Sequence, residues 1–398
     1  MSPVKSDRAQ RIMAAIEKPD AKSDMGKHPI IIGGQKKMFD VFKIPTNLLA
    51  FNIRNGRFAA ELRAKEKKLG RRLDPLLGED EAIIRELLVN LDPSATKLLK
   101  DDLRKVGQTD PGIITHDGFV INGNRRMAIL QELHRENPSG KYENLEVQIL
   151  KPGIGEKDLW RIEAGLQLSR DKRLEYGPVN DLLKIREGLK SKLTPQEIAA
   201  TLYGVKDAEE VLEKDRRLTL IDNYLEYIGE PENYTKANGF VEHFINLQDL
   251  LKYLKDKDVK GPERQKWLLG AFEMIRAGMK HMDIRDLRRI AGSDSARTHF
   301  VSSIKSKPGS SPADEDKKRG EETKETFRTA KDYYDNEEDA RKPEVLLKKA
   351  TRAIEVLVKH KEGLAARKAL HSQVASLAQM IQELVDRCGK KANSRKRK

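Results

Sequence analysis

The stretch Asp117-Gly118-Phe119-Val120-Ile121-Asn122-Gly123-Asn124-Arg125-Arg126 has the residue types and spacing that could hold a phosphate. Val120 and Ile121 end an apolar strand. Gly123 permits a sharp turn and lets a ligand approach the backbone closely. A helix starting near Arg125 aims unpaired N–H groups and a positive dipole end at whatever sits on the turn. The arginine pair adds fixed charge with bidentate geometry. The alternative is two solvated arginines at an ordinary helix start. Other reactive groups are sparse. Glu61 and Asp117 read better as solvated or turn residues than as catalytic carboxylates, and no residue is assigned a catalytic role. Cys388 is the single cysteine, so one chain holds neither a disulfide framework nor a cysteine zinc site.

The elements that would carry this turn follow from apolar periodicity. The sequence predicts strands at 28–32 and 38–44, joined by Gly33-Gly34 and closed by Pro45. Helices are expected at 61–68, 80–91 and 94–106, with Gly107 as the residue after the last of these. A short strand at 112–115, a turn at Asp117-Gly118 and a return strand at 119–122 form a hairpin. A helix at 125–135 and a strand at 145–150 complete an α/β unit spanning 28–152. Residues 1–27 read as a flexible arm in which 8–16 could form a short helix. Residues 153–300 are almost wholly helical. Residues 301–342, rich in Ser, Pro, Gly and charge, read as a flexible linker. Residues 343–388 carry heptad-like apolar spacing at Leu370, Val374, Leu377, Ile381, Leu384 and Cys388, which predicts a dimerisation helix or a helix on its own core. Residues 389–398 are a basic tail. The class is α+β.

Several of these segments resemble the ParB/sulfiredoxin superfamily. The run from Asp117 to Leu130 is similar to its second box, an apolar–x–Gly–x–Arg–Arg–x–x–Ala form. The preceding run from Leu98 to Ile114 is similar to the stretch that leads into that box. The run from Ile44 to Arg57 resembles the first box, with Arg54 or Arg57 as its arginine. Glu163-Ala164-Gly165-Leu166-Gln167-Leu168-Ser169-Arg170 resembles the third. The resemblance covers about residues 36 to 230. It implies a nucleoside triphosphate, CTP or ATP, held by Arg54, Arg57, Gln108, Gly123, Asn124, Arg125, Arg126, Gln167 and Arg170. It also implies Mg²⁺ bridging the phosphates, with Glu163 lining the metal. Two positions depart from the pattern. Asn124 stands where partition proteins carry Glu, and Ala164 where they carry Asn. Sulfiredoxins need a cysteine at the position of Asn124, so that activity is excluded.

Net charge is +14 with 35% charged residues, and a chain this basic is expected to meet an anionic partner, most often nucleic acid. Residues 194–217 fit a helix-turn-helix: Thr194-Pro195-Gln196-Glu197 is a helix start with a capping box, and Gly204 makes the turn. Lys214, Arg216 and Arg217 are its candidate DNA contacts, although Glu209, Glu210, Glu213 and Asp215 share the helix. Arg285, Arg288 and Arg289, spaced to share a helix face, are a second candidate set. The function expected from the resemblance is a nucleotide-dependent DNA-binding protein in partition, regulation or defence, dimeric through its C-terminal helix, with a partner ATPase or defence protein. An NTP hydrolase, kinase or ParB-like nuclease on the same site is one alternative, and a non-catalytic partner-binding scaffold another. No apolar run approaches the ~20 residues of a membrane span, and the N-terminus shows no apolar signal segment, so a cytoplasmic protein without a membrane partner is expected.

Overall fold

In the computed structural model, residues 3–395 are described except 55, 139, 168–176, 311, 341 and 361–369, with the backbone alone at 3–6, 57, 167 and 388–395. In chain order the first elements are α1 (Pro3–Ile16), β1 (Lys22–Ile32), β2 (Gln35–Pro45), β3 (Ala50–Phe51), α2 (Ala59–Leu69), α3 (Gly78–Asn90) and α4 (Pro93–Lys105). There follow β4 (Gly112–Ile114), β5 (Phe119–Asn122), α5 (Asn124–Glu136) and β6 (Asn144–Ile149). The strands form one mixed sheet in the order β1-β2-β6-β4-β5-β3. β3 runs parallel to β5 and β4 parallel to β6, whereas the β1/β2, β2/β6 and β4/β5 pairs are antiparallel. β1 is an edge, and its register shifts between Lys22 and Lys27.

Strand alternation splits the apolar residues between two faces. Ile114, Val120, Leu145 and Val147 join the main core with Met127, Leu130 and Leu133 of α5 and Ile84 and Leu88 of α3. Ile113, Ile121 and Leu150 face the other way and pack with Ile162 of α6 (Glu156–Gln167). The sheet is therefore covered on both faces, and α6 lies on the side opposite α5.

The remaining helices are α7 (Pro178–Lys190), α8 (Pro195–Thr201), α9 (Ala208–Tyr227), α10 (Val241–Asp256), α11 (Gly261–Arg276) and α12 (His281–Ala291). They continue with α13 (Asp294–Ser303), α14 (Ala313–Ala340), α15 (Pro343–Lys359) and α16 (His371–Arg395). The capping box forms as the sequence predicts. Glu197 N donates to Thr194 Oγ1 at 3.2 Å, and Thr194 N donates to Glu197 Oε2 at 2.7 Å. Gly204 takes the left-handed conformation, φ +75°. Ile198, Leu202 and Val211 share a core with Trp160, Ile185 and Leu193, and Val205 packs on it. The α8–turn–α9 pair thus has a helix-turn-helix outline.

Three boundaries differ from expectation. The N-terminal residues are not a loose arm, because α1 buries Ile12 completely in the main core. Residues 313–340 are a helix and not a flexible linker. Their high charge is spent on local pairs such as Lys324–Glu321 at 2.8 Å, while Thr323, Phe327 and Ala330 are buried. Finally, the α/β part and the helices that follow it do not separate. Met1–Arg288 with Ile304–Lys324 forms one compact unit, and Arg289–Ser303 with Glu325–Lys398 a second. In that second unit Ser295 N donates to Glu337 of α14, and the His299 and Tyr333 rings lie 5.3 Å apart. α15 has no buried residue, and Val345, Leu346, Val356, Ile381 and Leu384 of α15 and α16 are exposed.

Candidate functional site

The parallel pairing of β3 with β5 sets Phe51 opposite Val120, so the residues after each strand emerge side by side. Asn52 N donates to Asn124 Oδ1 at 3.0 Å, and Asn124 Nδ2 donates to Val120 O at 2.7 Å. Asn124 is buried and uses its amide as both acceptor and donor. A carboxylate could supply only the acceptor half, a physical reason for Asn at this position. Gly123, before it, has φ +108° with its Cβ position 3.5 Å from Gly112 Cα. A side chain there would be strained whatever space it found.

Asn52 then reaches α6. Its Nδ2 donates to Glu163 Oε2 at 3.3 Å, and Gly56 N donates to Glu163 Oε1 at 3.2 Å. Glu163 is fully buried, and α7 supplies its counter-charge: Lys184 Nζ lies 3.0 Å from Glu163 and 2.8 Å from Glu187. Trp160 Nε1 donates to Lys184 O at 3.0 Å, and its ring lies 5.8 Å from the ammonium. Gly188 lets α7 come this close, because a Cβ there would sit 2.8 Å from the Trp160 ring. Burial pushes the Glu163 carboxyl up, against the pull of Lys184. Burial would depress the Lys184 ammonium, but Glu163 and Glu187 outweigh it and hold the group protonated, with its pKa raised. α7 also holds the start of α2, where Ala60 N donates to Asn180 Oδ1 at 3.1 Å.

Two clefts flank the loop after β3, one of about 460 Å³ and one of about 430 Å³. Ile53, Arg54, Glu156, Glu187 and Ser191 belong to both rims. The larger is floored by Phe119, Ile121, Leu159 and Trp160. The smaller lies along α2 and α7, beside Leu62, Arg63, Leu183 and Lys190.

The residues expected at the nucleotide site fall into separate groups. Arg54 is exposed on the shared rim, paired with Glu156 at 3.0 Å. Gln108 and Arg126 meet on one acceptor, Asp110 O, at 2.9 and 2.6 Å, and Gln108 also donates to Glu146 O at 2.6 Å. Both therefore fasten the loop that enters β4. Arg125 is half-buried, and neither it nor Arg126, Gln108 or Gly123 lines either cleft. The side chains of Arg57 and Gln167, and all of Arg170, lie outside the described residues. Glu163 does not fit a metal ligand here, because Lys184 already supplies the positive charge a cation would bring, and both carboxylate oxygens are engaged. Glu61 is half-buried, and burial raises its pKa.

The candidate DNA contacts on α9 are largely neutralised by acids of the same helix. Lys214 pairs with Glu210 at 3.0 Å and Arg216 with Glu209. The Arg217 guanidinium is depressed by burial despite Glu213 and Asp249 nearby. Arg285, Arg288 and Arg289 are each exposed, and Arg288 lies 5.2 Å over the Tyr253 ring. No described helix is long and apolar enough to cross a membrane.

No known protein family, curated protein or solved structure matches this chain.

Sequence reasoning missed Asn52, Lys184 and Glu187. For Lys184 the available signal was weak. In Val179-Asn180-Asp181-Leu182-Leu183-Lys184-Ile185 the four apolar residues share one side of the helix and Lys184 falls on the other, between Asn180 and Asp181, where a lysine ordinarily reads as solvated.

Proposed function

We propose that this chain is a nucleotide-dependent DNA-binding protein of the ParB/sulfiredoxin type, binding a nucleoside triphosphate such as CTP or ATP beside the loop that follows β3. One observation carries the reading. The three segments that resemble the superfamily's boxes, far apart in sequence, are joined through Asn52, Asn124 and Glu163 by buried hydrogen bonds. The clefts on either side of that junction have the size of small-ligand sites. The same loop is tied to α7 through Gly56, Glu163, Lys184 and Asn180. A ligand that favours one arrangement of the loop would thereby bias the helices carrying the helix-turn-helix outline. The net charge of +14 and the exposed Arg285, Arg288 and Arg289 support DNA as partner. The uncovered apolar residues of α15 and α16 support a homodimer through the C-terminal helices.

Calorimetric titration of CTP, ATP, GTP and UTP, with and without duplex DNA, tests this. Binding of at least one triphosphate is expected, weakened by Arg54→Ala and altered by DNA. Absence of both binding heat and thermal stabilisation with every triphosphate overturns it and favours the scaffold reading.

A further inference from the structure

The two clefts differ sharply in charge. Among the described residues Arg54 is the one basic side chain on the larger cleft, against five acidic ones: Asp74, Asp117, Glu156, Glu163 and Glu187. The described residues lining the smaller include five basic side chains, Arg54, Arg63, Arg72, Lys184 and Lys190, against three acidic ones. Arg54 pairs with Glu156, Lys184 is shared by Glu163 and Glu187, and Arg8 acts on both Asp117 and Asp74. Acids therefore still outnumber their cationic partners in the first cleft, and a polyphosphate there would be repelled. The second offers cations that are not already spent. Neither Arg63 nor Lys190 makes an ion pair with any described residue. Arg63 is instead held with its guanidinium 5.0 Å over the Tyr234 ring, which pre-orients a planar fork of donors.

We propose that the polyphosphate of the bound nucleotide lies in the cleft between α2 and α7, held by Arg63 and Lys190 with Arg54 at the boundary. The base then lies in the neighbouring cleft on Phe119, Ile121 and the edge of Trp160. This rests on the nucleotide reading above and moves its phosphates away from the turn at Gly123. Two further observations support the assignment. The clefts share a rim at Ile53, Arg54 and Ser191, so one elongated ligand with an apolar, donor-bearing head and an anionic tail occupies both. Thr115 Oγ1 donates to Asp117 Oδ1 at 2.6 Å, which occupies one oxygen of that carboxylate. With Asp74, the larger cleft presents acceptors for a base that offers N–H donors, as adenine, cytosine and guanine do through their exocyclic amines. At the turn, by contrast, Arg126 is committed to Asp110 O.

The test is calorimetry on the full chain with three probes: the four nucleoside triphosphates, the matching nucleosides, and inorganic tripolyphosphate. Arg63→Gln and Lys190→Gln should each weaken triphosphate and tripolyphosphate binding by about tenfold, the value of one charge-assisted phosphate contact. Nucleoside affinity should stay unchanged, and Lys190→Arg should retain binding. Equal thermal melts confirm that the variants fold. Wild-type triphosphate affinity in Arg63→Gln and Lys190→Gln overturns the proposal. If affinity instead falls in Arg126→Gln alone, the nucleotide reading survives with its phosphates at the turn. Tripolyphosphate binding that needs Arg63 and Lys190, without binding of any nucleoside triphosphate, keeps the basic cleft and refutes the nucleotide. Failure of every probe to bind refutes both.

Discussion

Replacing Lys184 with methionine removes the buried ammonium while keeping most of its volume. In the wild-type protein that group sits 3.0 Å from Glu163 and 2.8 Å from Glu187, with a fully buried side chain. Glu187 keeps access to solvent, with a side chain 30% exposed, whereas the Glu163 side chain is 4% exposed. The penalty therefore falls on Glu163, which keeps only the donors Asn52 Nδ2 and Gly56 N. Stranding one partner of a buried ion pair costs about 3–5 kcal/mol. Glu163→Gln is milder, since Lys184 retains Glu187, and about 1–2 kcal/mol is expected for the weakened hydrogen bonding. The double variant Lys184→Met/Glu163→Gln should recover much of the loss, because no unpaired buried charge remains. In Lys184→Met the Glu163 carboxyl binds a proton more readily folded than unfolded, so the deficit should shrink as pH falls toward the carboxyl range. Urea unfolding followed by tryptophan fluorescence suits the question, since Trp160 touches Lys184. A loss below about 1 kcal/mol, or a deficit that does not respond to pH, would show that the ammonium does not neutralise Glu163.

Two further outcomes are expected. Asp80 accepts both Nη atoms of Arg71, at 2.6 and 2.7 Å, and the Asp74 N–H at 2.8 Å, which together hold its carboxyl down at about 2. Its folded value lies below its unfolded one, so its contribution is complete above the ordinary carboxylate range and is lost as pH falls toward about 2. Asp80→Asn should be less stable at pH 5 (about one unit above the usual carboxylate value) and should show a shallower acid limb in denaturant melts. Ile12→Ala should cost about 2–5 kcal/mol by thermal or chemical unfolding, because α1 is part of the core. A near-neutral result would mean that the N-terminal residues are the loose arm their composition suggests.

The sequence revealed those features whose determinants are local. The Thr194 capping box, the left-handed Gly204 and the Asp117-Gly118 hairpin depend on residues within a few positions of each other, and all three form. Features set by distant partners were not legible. The extent of β1 was missed because Lys22 to His28 shows no apolar alternation, and its pairing is imposed by β2. α14 resembled a linker by composition, and the signal that it packs rests on Phe327 and Ala330 among many charges. At the site, motif resemblance located Asn124 and Glu163, and the structure brings them together through Asn52. It gave no hint of Lys184, whose partner Glu163 lies on another helix. Nor could it show that Arg63 and Lys190 line one cleft, since that depends on how α2 meets α7.

The sheet's two borders have a consequence for behaviour at high concentration. An uncovered strand border displays unpaired N–H and C=O groups and invites a strand from another molecule. β3 has only two residues to offer. β1 is eleven residues long, but its regularity is interrupted between Lys22 and Lys27, and Pro29 lacks an N–H to donate. Its lysines would also face their own kind across any strand-to-strand junction of two copies. Neither border therefore presents a long, regular template. Fibrillar growth by edge addition should be disfavoured in this protein even when its stock solutions are concentrated.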